Sequence, residues 1–314
     1  MEIESENNKH AYLILAHNQF ELLKMLCRLL DHPNHGIYIH VDRKATDFSL
    51  EQFAATTQYS PIYFVERSSI SWGGTQMVFC TIKLLKAAMA NREYSYYHLI
   101  SGADLPLYTA QEIYNFFECN QGKEFIFLCK EEFSFSKNIK ERVSLYHPFQ
   151  EKLGRKKKGL LYFLERLLIR IQRLLRIDRL KNSGKVAECG SQWFSITNSL
   201  ARYVLDNEKW IKRTFAKTYI PDEMFMPMLI QGTKFKDNLY KCDSEDGYRS
   251  CMRYVDWKRG DPYTFRTEDF QELIASGYMF ARKFNISVDS EICYRIENYL
   301  VERKKRKELT NEKI

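Results

Sequence analysis

Two adjacent acidic residues, Asp222 and Glu223, follow Pro221 in the stretch 218–228 and are candidates for a catalytic base. A carboxylate held beside a bound hydroxyl group can take its proton during reaction. If Glu223 is flanked by Asp222 and by a bound molecule, we expect its pKa to rise towards the working pH. The same three residues also suit a helix start, because proline fits the first turn and acids favour the positive end of the helix dipole.

Two further aspartates close predicted buried strands. The apolar run 36–41 ends on Asp42, and the run 96–100 leads through a glycine turn to Asp104. Open α/β sheets bind ligands at the carboxyl ends of their strands, so we expect both aspartates at one crevice. Either residue alone could instead satisfy local backbone donors in a turn or at a helix start.

The elements that must position these residues alternate between strand and helix. This alternation predicts an α/β fold with a mostly parallel central sheet covered by helices, and we expect one domain over residues 1–314. Thr109 and Glu112 form a capping box that opens a further helix. The predicted strands are 11–16, 36–41, 62–65, 96–100, 124–128 and 191–196, and the first two helices are 20–30 and 75–90.

Composition is that of a globular domain, with 45% hydrophobic and 14% aromatic residues among 314. The polar, acidic start 1–9 has neither the pattern of a signal peptide nor that of a membrane span, so we expect a cytoplasmic protein. Eight cysteines lack C-x-x-C spacing. This argues against a zinc site and against a dense disulfide scaffold, and we expect most of them to be reduced and buried.

The segment 152–181 has an unusual charge, because it carries eleven Lys or Arg against Glu165 and Asp178. Its net charge is +9, against +8 for the whole chain. The spacing predicts a basic amphipathic helix, whose apolar face consists of Leu160, Leu164, Leu167, Ile171 and Leu174. Two interpretations stay open: a helix lying on an anionic membrane surface, peripheral on the inner face of the cell membrane, or a helix packed on the domain with a solvated basic face.

Nucleic acid is a third partner that a basic helix can bind, since phosphates attract Lys and Arg. The chain has no nucleic-acid-binding motif, and we expect no such partner. A second basic run, at 303–307 near the chain end, is explained by a solvated helix terminus.

Taken together, the motifs resemble the core-2/I-branching family of glycosyltransferases, family 14, which contains β-1,6-N-acetylglucosaminyltransferases and peptide xylosyltransferases. Their order and spacing carry the resemblance, which spans most of the chain. Animal members are membrane-anchored and disulfide-bonded, so the features above indicate a bacterial-type member. The motifs are 11–17 before a helix, Ile39-His40-Val41-Asp42, Ser69-Ile70-Ser71-Trp72-Gly73-Gly74, Ser101-Gly102-Ala103-Asp104-Leu105-Pro106-Leu107, Gly190-Ser191-Gln192-Trp193-Phe194, Pro221-Asp222-Glu223, Arg253-Tyr254-Val255-Asp256-Trp257 and Phe280-Ala281-Arg282-Lys283-Phe284.

The resemblance implies a GT-A type nucleotide-sugar fold and assigns roles position by position. Glu223 matches the catalytic base of the family. Five residues match or lie near the donor site, namely His17, Asp42, Trp72, Asp104 and Lys283, and Trp193 and Trp257 match positions near the acceptor. Arg266 is the candidate partner of Lys283 on the donor diphosphate, and Arg282 is the possible substitute. Arg266 and Lys283 could also be plain surface charges, and the two tryptophans could be core residues.

No convincing Asp-x-Asp turn for a metal is present, since Asp104 is followed by Leu105 and Pro106, and Asp243-Ser244-Glu245-Asp246 reads as a loop. The resembled N-acetylglucosaminyltransferases work without metal, so fixed cations are expected to replace it and no cofactor is expected. The prediction is a metal-independent, inverting transfer from a UDP-sugar, favouring UDP-GlcNAc, to a glycan or lipid-linked glycan. Xylosyl or other pentosyl transfer and a non-catalytic membrane-surface module are the alternatives.

Overall fold

The computed structural model describes residues 9–130, 136–241 and 247–311. The stretch Asp243-Ser244-Glu245-Asp246, Cys242 and nearly all of the polar start lie outside these ranges, so the expectations for them stay predictions. Among the described cysteines, Cys27, Cys80 and Cys293 are buried free thiols and Cys119 is an exposed one. Within the described ranges, no helix combines the length and the apolar character needed to cross a membrane.

A six-stranded sheet forms the centre of the molecule. Its strands are β1 (His10–Ala16), β2 (His35–Val41), β3 (Ile62–Phe64), β4 (Tyr96–Ser101), β6 (Phe125–Leu128) and β7 (Gly190–Thr197). They lie in the order β3-β2-β1-β4-β7-β6. Strands β3, β2, β1 and β4 are parallel, whereas β7 runs antiparallel to both β4 and β6. The α/β class and the mostly parallel sheet are therefore confirmed.

A smaller sheet, in the order β5-β9-β8, packs against the first and consists of β5 (Asp104–Pro106), β8 (Arg253–Val255) and β9 (Phe280–Arg282). The buried guanidinium of Arg253 joins the two sheets, because its Nη2 donates to the carbonyl oxygen of Phe194 (2.8 Å) and to Oγ of Ser195 (3.0 Å). A charge buried in this way needs such partners. Arg253 lies in β8, which is the neighbour of β9 in the smaller sheet. It therefore also fixes β9, which carries Arg282, relative to the central sheet.

Helices cover both faces of the sheet, as the side-chain alternation of β1 requires. Tyr12, Ile14 and Ala16 enter one hydrophobic core, and Ala11, Leu13 and Leu15 enter the other. The helices are α1 (Phe20–Leu29), α2 (Gln76–Asn91), α3 (Ala110–Glu118), α4 (Lys137–Ser144), α5 (Gln150–Leu153), α6 (Leu160–Leu174), α7 (Asn198–Asp206), α8 (Glu208–Phe215), α9 (Phe225–Ile230), α10 (Lys234–Asp237), α11 (Phe270–Ala275) and α12 (Ser290–Asn311). The capping box of Thr109 and Glu112 opens α3 as predicted.

Candidate active site

The carboxyl ends of β1, β2 and β4 meet at one edge of the sheet and bring three predicted residues there. His17 follows β1, Asp42 follows β2, and Asp104 begins β5 just after β4. The chain places β2 and β3 on one side of β1 and then returns to place β4 on the other side. Ligands bind at such a reversal of strand order, so this edge is the expected position of a crevice.

Asp42 fixes the loop that carries Trp72. Its buried carboxylate accepts from the backbone N–H of Lys44 (2.9 Å) and, over a longer distance, from that of Ile70 (3.4 Å). Burial lowers the pKa of His17, while the charge of Asp42 acts in the opposite direction, so the two groups interact electrostatically. Asp42 thus connects the end of β2 with the loop 69–74.

The loop 69–74 is joined directly to the turn that carries Glu223. Ile220 donates its N–H to the carbonyl oxygen of Gly73 (2.9 Å), and the rings of Trp72 and Tyr219 meet edge to face with centroids 6.0 Å apart. Gly73 has φ of +69°, and an added Cβ there would lie 3.2 Å from Cγ1 of Ile220. Glycine therefore permits the close approach of the two segments.

Glu223 ends a short 3-10 turn, Pro221–Glu223, that precedes α9. Its side chain keeps 39% of its surface exposed, and Oε2 accepts from Nη1 of Arg142 at 2.7 Å. The carboxylate is thus oriented by a charge-assisted hydrogen bond and still open to a second molecule. Both acids lie in the first turn of this 3-10 segment, where the positive end of its dipole also favours negative charge.

Asp222 is the buried member of the pair. Burial and then the charge of Glu223 raise the pKa of Asp222 to about 7, and among the described residues its Oδ1 has no hydrogen-bond partner. A carboxyl group with this pKa holds a proton more tightly in the folded chain than in the unfolded one, where its pKa is near 3.8. The stabilising effect of that proton is present below pH ~4 and is lost as the pH rises through about 7.

We therefore expect Asp222→Asn to gain stability relative to the wild type as the pH increases from 4.5 to 8, by a few kcal/mol at ~1.4 kcal/mol for each unit of pKa. Asparagine carries no titrating proton but keeps the shape of the side chain. Denaturant unfolding of both proteins at the two pH values measures this difference. The exposed Asp237→Asn is the matched control, and parallel stability profiles for Asp222→Asn and the wild type would contradict the assignment.

Lys283 follows Arg282 in the chain and is influenced by two cations. Burial, then the charges of Arg155 and Arg282, lower the pKa of Lys283. The guanidinium of Arg282 lies over the ring of Trp193 (4.1 Å), and its Nε is 3.8 Å from Oδ1 of Asp104. Nη1 of Arg282 is buried without a hydrogen-bond partner among the described residues. Such a cluster of positive charge is suited to an anionic ligand.

Arg155 is the member of this cluster that the sequence reasoning missed. It belongs to the basic segment 152–181, yet its guanidinium carbon lies 5.2 Å from the ring centroid of Trp72. The cation therefore lies over the tryptophan of the loop 69–74, and its charge also acts on Lys283. A run of four basic residues, 155–158, contains no signal that would single out its first member.

Arg266 occupies a different environment from Arg155 and Arg282. It is exposed at the start of the 3-10 turn Thr267–Asp269, and its backbone N–H donates to Oδ2 of Asp269 (2.8 Å). The neighbouring charges that shift the pKa of Lys283 are those of Arg155, Arg282 and Asp261. A role for Arg266 in binding the donor stays a prediction.

Asp104 is fully buried, with Oδ2 accepting from the N–H of Ser101 (3.0 Å) and Oδ1 from its hydroxyl (2.8 Å). This is the turn-closing geometry foreseen as the alternative for this residue. Since Oδ1 also lies near Arg282, Asp104 additionally orients one of the cations.

Of the two tryptophans predicted near an acceptor, Trp193 lies in β7 and Trp257 follows β8. Trp257 is half exposed, and its Nε1 donates to the hydroxyl of Tyr248 (2.7 Å). Burial raises the pKa of Tyr248, and the charge of Glu223 acts in the same direction. Trp193 supports Arg282 instead. The partly exposed Trp257 is thus the better placed of the two for an apolar sugar face.

Comparisons with known proteins match this chain over most of its length. The model of the Core-2/I-Branching enzyme family matches residues 10–274. Xylosyltransferase sqv-6 of Caenorhabditis briggsae is 26% identical over 280 residues, and Xylosyltransferase 2 of Rattus norvegicus is 23% identical over 308. These alignments cover 82% and 92% of this chain but 32% and 33% of the relatives, so the chain spans about a third of their length.

A search of solved structures finds the apo form of mouse xyloside xylosyltransferase 1, at 9% identity and with a TM-score of 0.36. It covers 87% of this chain and 96% of that one.

Proposed function

Because the chain belongs to the Core-2/I-branching enzyme family of glycosyltransferases, we propose that it is a metal-independent, inverting transferase that moves N-acetylglucosamine from UDP-GlcNAc to a hydroxyl of a glycan or lipid-linked glycan. The observation that carries the proposal is the direct contact between the loop 69–74 and the turn 219–223. Through this contact the candidate base, Glu223, lies close to the loop that carries Trp72, a residue predicted for the donor site.

In the proposed reaction, the acceptor oxygen attacks the anomeric carbon of the donor sugar while Glu223 accepts its proton. The bond from that carbon to the diphosphate oxygen breaks, and its electron pair leaves with UDP. Attack on the face opposite to the leaving group inverts the configuration at the anomeric carbon. Arg142 supports this role by holding one oxygen of the carboxylate while the side chain stays partly exposed.

The charge that develops on UDP requires stabilisation in the transition state. Lys283, Arg282 and Arg155 form a cluster of fixed cations that could supply it. The carboxylate of Asp104 is occupied by Ser101 and lies beside Arg282. These contacts support stabilisation of the UDP charge by side-chain cations, with Asp104 orienting Arg282.

Xylose is the second candidate sugar. The curated relatives are named xylosyltransferases, and Gly190-Ser191-Gln192-Trp193-Phe194 resembles the xylosyltransferase form of that motif. Small changes in a pocket can exchange one sugar for another. A non-catalytic binding module of the same fold is the candidate from another class, and the partly exposed Glu223, oriented by Arg142, argues against it.

The proposal is tested by measuring release of UDP from a panel of UDP-sugars in the presence of EDTA. We expect turnover of UDP-GlcNAc that EDTA does not reduce. Turnover of UDP-xylose alone would replace the donor but keep the mechanism. A strict requirement for Mn²⁺ would contradict the metal-independent reaction, and binding without turnover of any donor would favour the binding module.

A further inference from the structure

Helix α6 is attached to the molecule by its polar side. Oε2 of Glu165 accepts from the N–H of Phe149 (3.1 Å), and Oε1 lies 3.3 Å from Nδ1 of His147. The amide of Gln172 bonds both backbone groups of Tyr146, at 2.7 and 2.9 Å. Glu165, Ile169 and Gln172 are buried and lie on one face of the helix, since they are spaced by four and three residues.

Much of the outward surface of α6 is apolar. Leu174 keeps 82% of its surface exposed, Leu160 keeps 74% and Phe163 keeps 59%. The apolar face predicted from sequence therefore does not pack on the domain. We call this surface the outer face of α6, and it comprises Leu160, Phe163, Leu164, Leu167, Leu168, Ile171, Leu174 and Leu175. Contiguous exposed apolar side chains of this extent mark an interaction surface.

Positive charge borders the outer face. Lys156, Lys157 and Lys158 are exposed immediately before the helix, and Arg166 and Arg170 are exposed along it. An apolar stripe with basic margins matches the interface of an anionic bilayer, where hydrocarbon and phosphate lie at adjacent depths. A second copy of this chain is a poor match, because it would bring two segments of charge +9 into contact.

We infer that the outer face of α6 docks on the surface of an anionic lipid bilayer, with its leucines in the headgroup boundary and the bordering Lys and Arg on lipid phosphates. The helix lies in the plane of the interface. This places the protein peripherally on the membrane.

Docking in this way also constrains the acceptor, a consequence that rests on the proposed function. A cavity of about 390 Å³ is lined both by residues close to Glu223, namely Trp72, Arg142 and Tyr219, and by residues of the basic segment, namely Lys156, Lys157 and Arg166. Arg142 is the residue bonded to Glu223. A docked helix would place this cavity at the level of the headgroups, so that a lipid-linked acceptor could reach the base while its lipid stays in the bilayer.

Flotation of the full chain with phosphatidylcholine vesicles, with and without phosphatidylglycerol, tests the inference. We expect binding to the anionic vesicles that decreases with added salt. The double variant Leu167→Glu, Ile171→Glu is expected to lower the partition coefficient about tenfold or more, since two apolar anchors become anionic. Both positions are exposed, so the fold should survive. Leu50→Glu, an exposed leucine elsewhere, is the matched control.

Charge is tested separately with Lys157→Gln, Lys158→Gln, which should weaken binding about tenfold, against Lys304→Gln, Lys305→Gln in α12, which should not. Failure of the wild type to float, or equal flotation of the Leu167, Ile171 variant, would overturn the inference. The inference would also be overturned if the wild type did not bind vesicles and sedimented as a dimer that dissociates in the Leu167, Ile171 variant. Flotation does not depend on turnover, so the inference and the proposed function can fail independently.

Discussion

Glu223→Gln is expected to lower kcat by about 10²–10⁴-fold, the usual contribution of a general base, while leaving the affinity for UDP unchanged. Glutamine has the same shape and can still accept a hydrogen bond from Arg142 through its amide oxygen, but it cannot take the proton of the acceptor. The measurement is steady-state transfer from the donor identified in the UDP-sugar panel, together with titration of UDP into both proteins.

The control is Glu268→Gln, an exposed glutamate that also stands in a 3-10 turn but outside the cleft. We expect it to leave kcat within about twofold, as is usual for surface substitutions. Equal activity of Glu223→Gln and the wild type would remove Glu223 from the mechanism. A parallel loss of UDP affinity would indicate damage to the joined loop 69–74 instead.

The second large effect is expected at Lys283. Removal of its charge in Lys283→Met should lower kcat/KM by about 10²–10³-fold, because a fixed cation that meets the developing charge acts mainly in the transition state. In the absence of reaction, Lys283→Met should bind UDP more weakly but uridine with unchanged affinity, since only UDP carries the diphosphate. Calorimetric titration of the two ligands measures this difference.

Lys258→Met, an exposed lysine in the same part of the chain, controls for the loss of one surface charge. Arg155→Gln and Arg266→Gln then separate the two candidate partners. We expect Arg155→Gln to reduce the affinity for UDP about tenfold, a usual value for the loss of a hydrogen bond to a charged group. We expect Arg266→Gln to change this affinity little. Equal losses for UDP and uridine in Lys283→Met would reduce this lysine to a structural role.

Much of the fold follows from local pattern. The strands at β1, β2 and β4 were predicted to within one residue at each end, because continuous apolar runs bounded by turn residues are typical of buried parallel strands. The capping box at α3 and the amphipathic α6 were also readable, since both depend on residues three or four positions apart. The turn at Pro221 was recognised, although it forms a 3-10 turn before α9.

The chemistry of the acidic pair was beyond the sequence. Adjacent residues in a turn point in different directions, and only the packing around the turn decides which one is buried. In this chain Asp222 is enclosed and its pKa is raised, whereas Glu223 is partly exposed and bonded to Arg142. The partner of Glu223 comes from α4, and no spacing in the sequence connects the two.

The environment of Lys283 likewise combines features that sequence pattern predicts with features that depend on packing. Sequence pattern is enough to predict an α/β sheet with aspartates at its strand ends, a Phe280-Ala281-Arg282-Lys283-Phe284 motif and a basic amphipathic helix. It does not predict that Arg155 lies over Trp72 or that the leucines of α6 face outward. Helix and strand periodicity are local, whereas burial and the interaction of charges depend on contacts between segments distant in the chain.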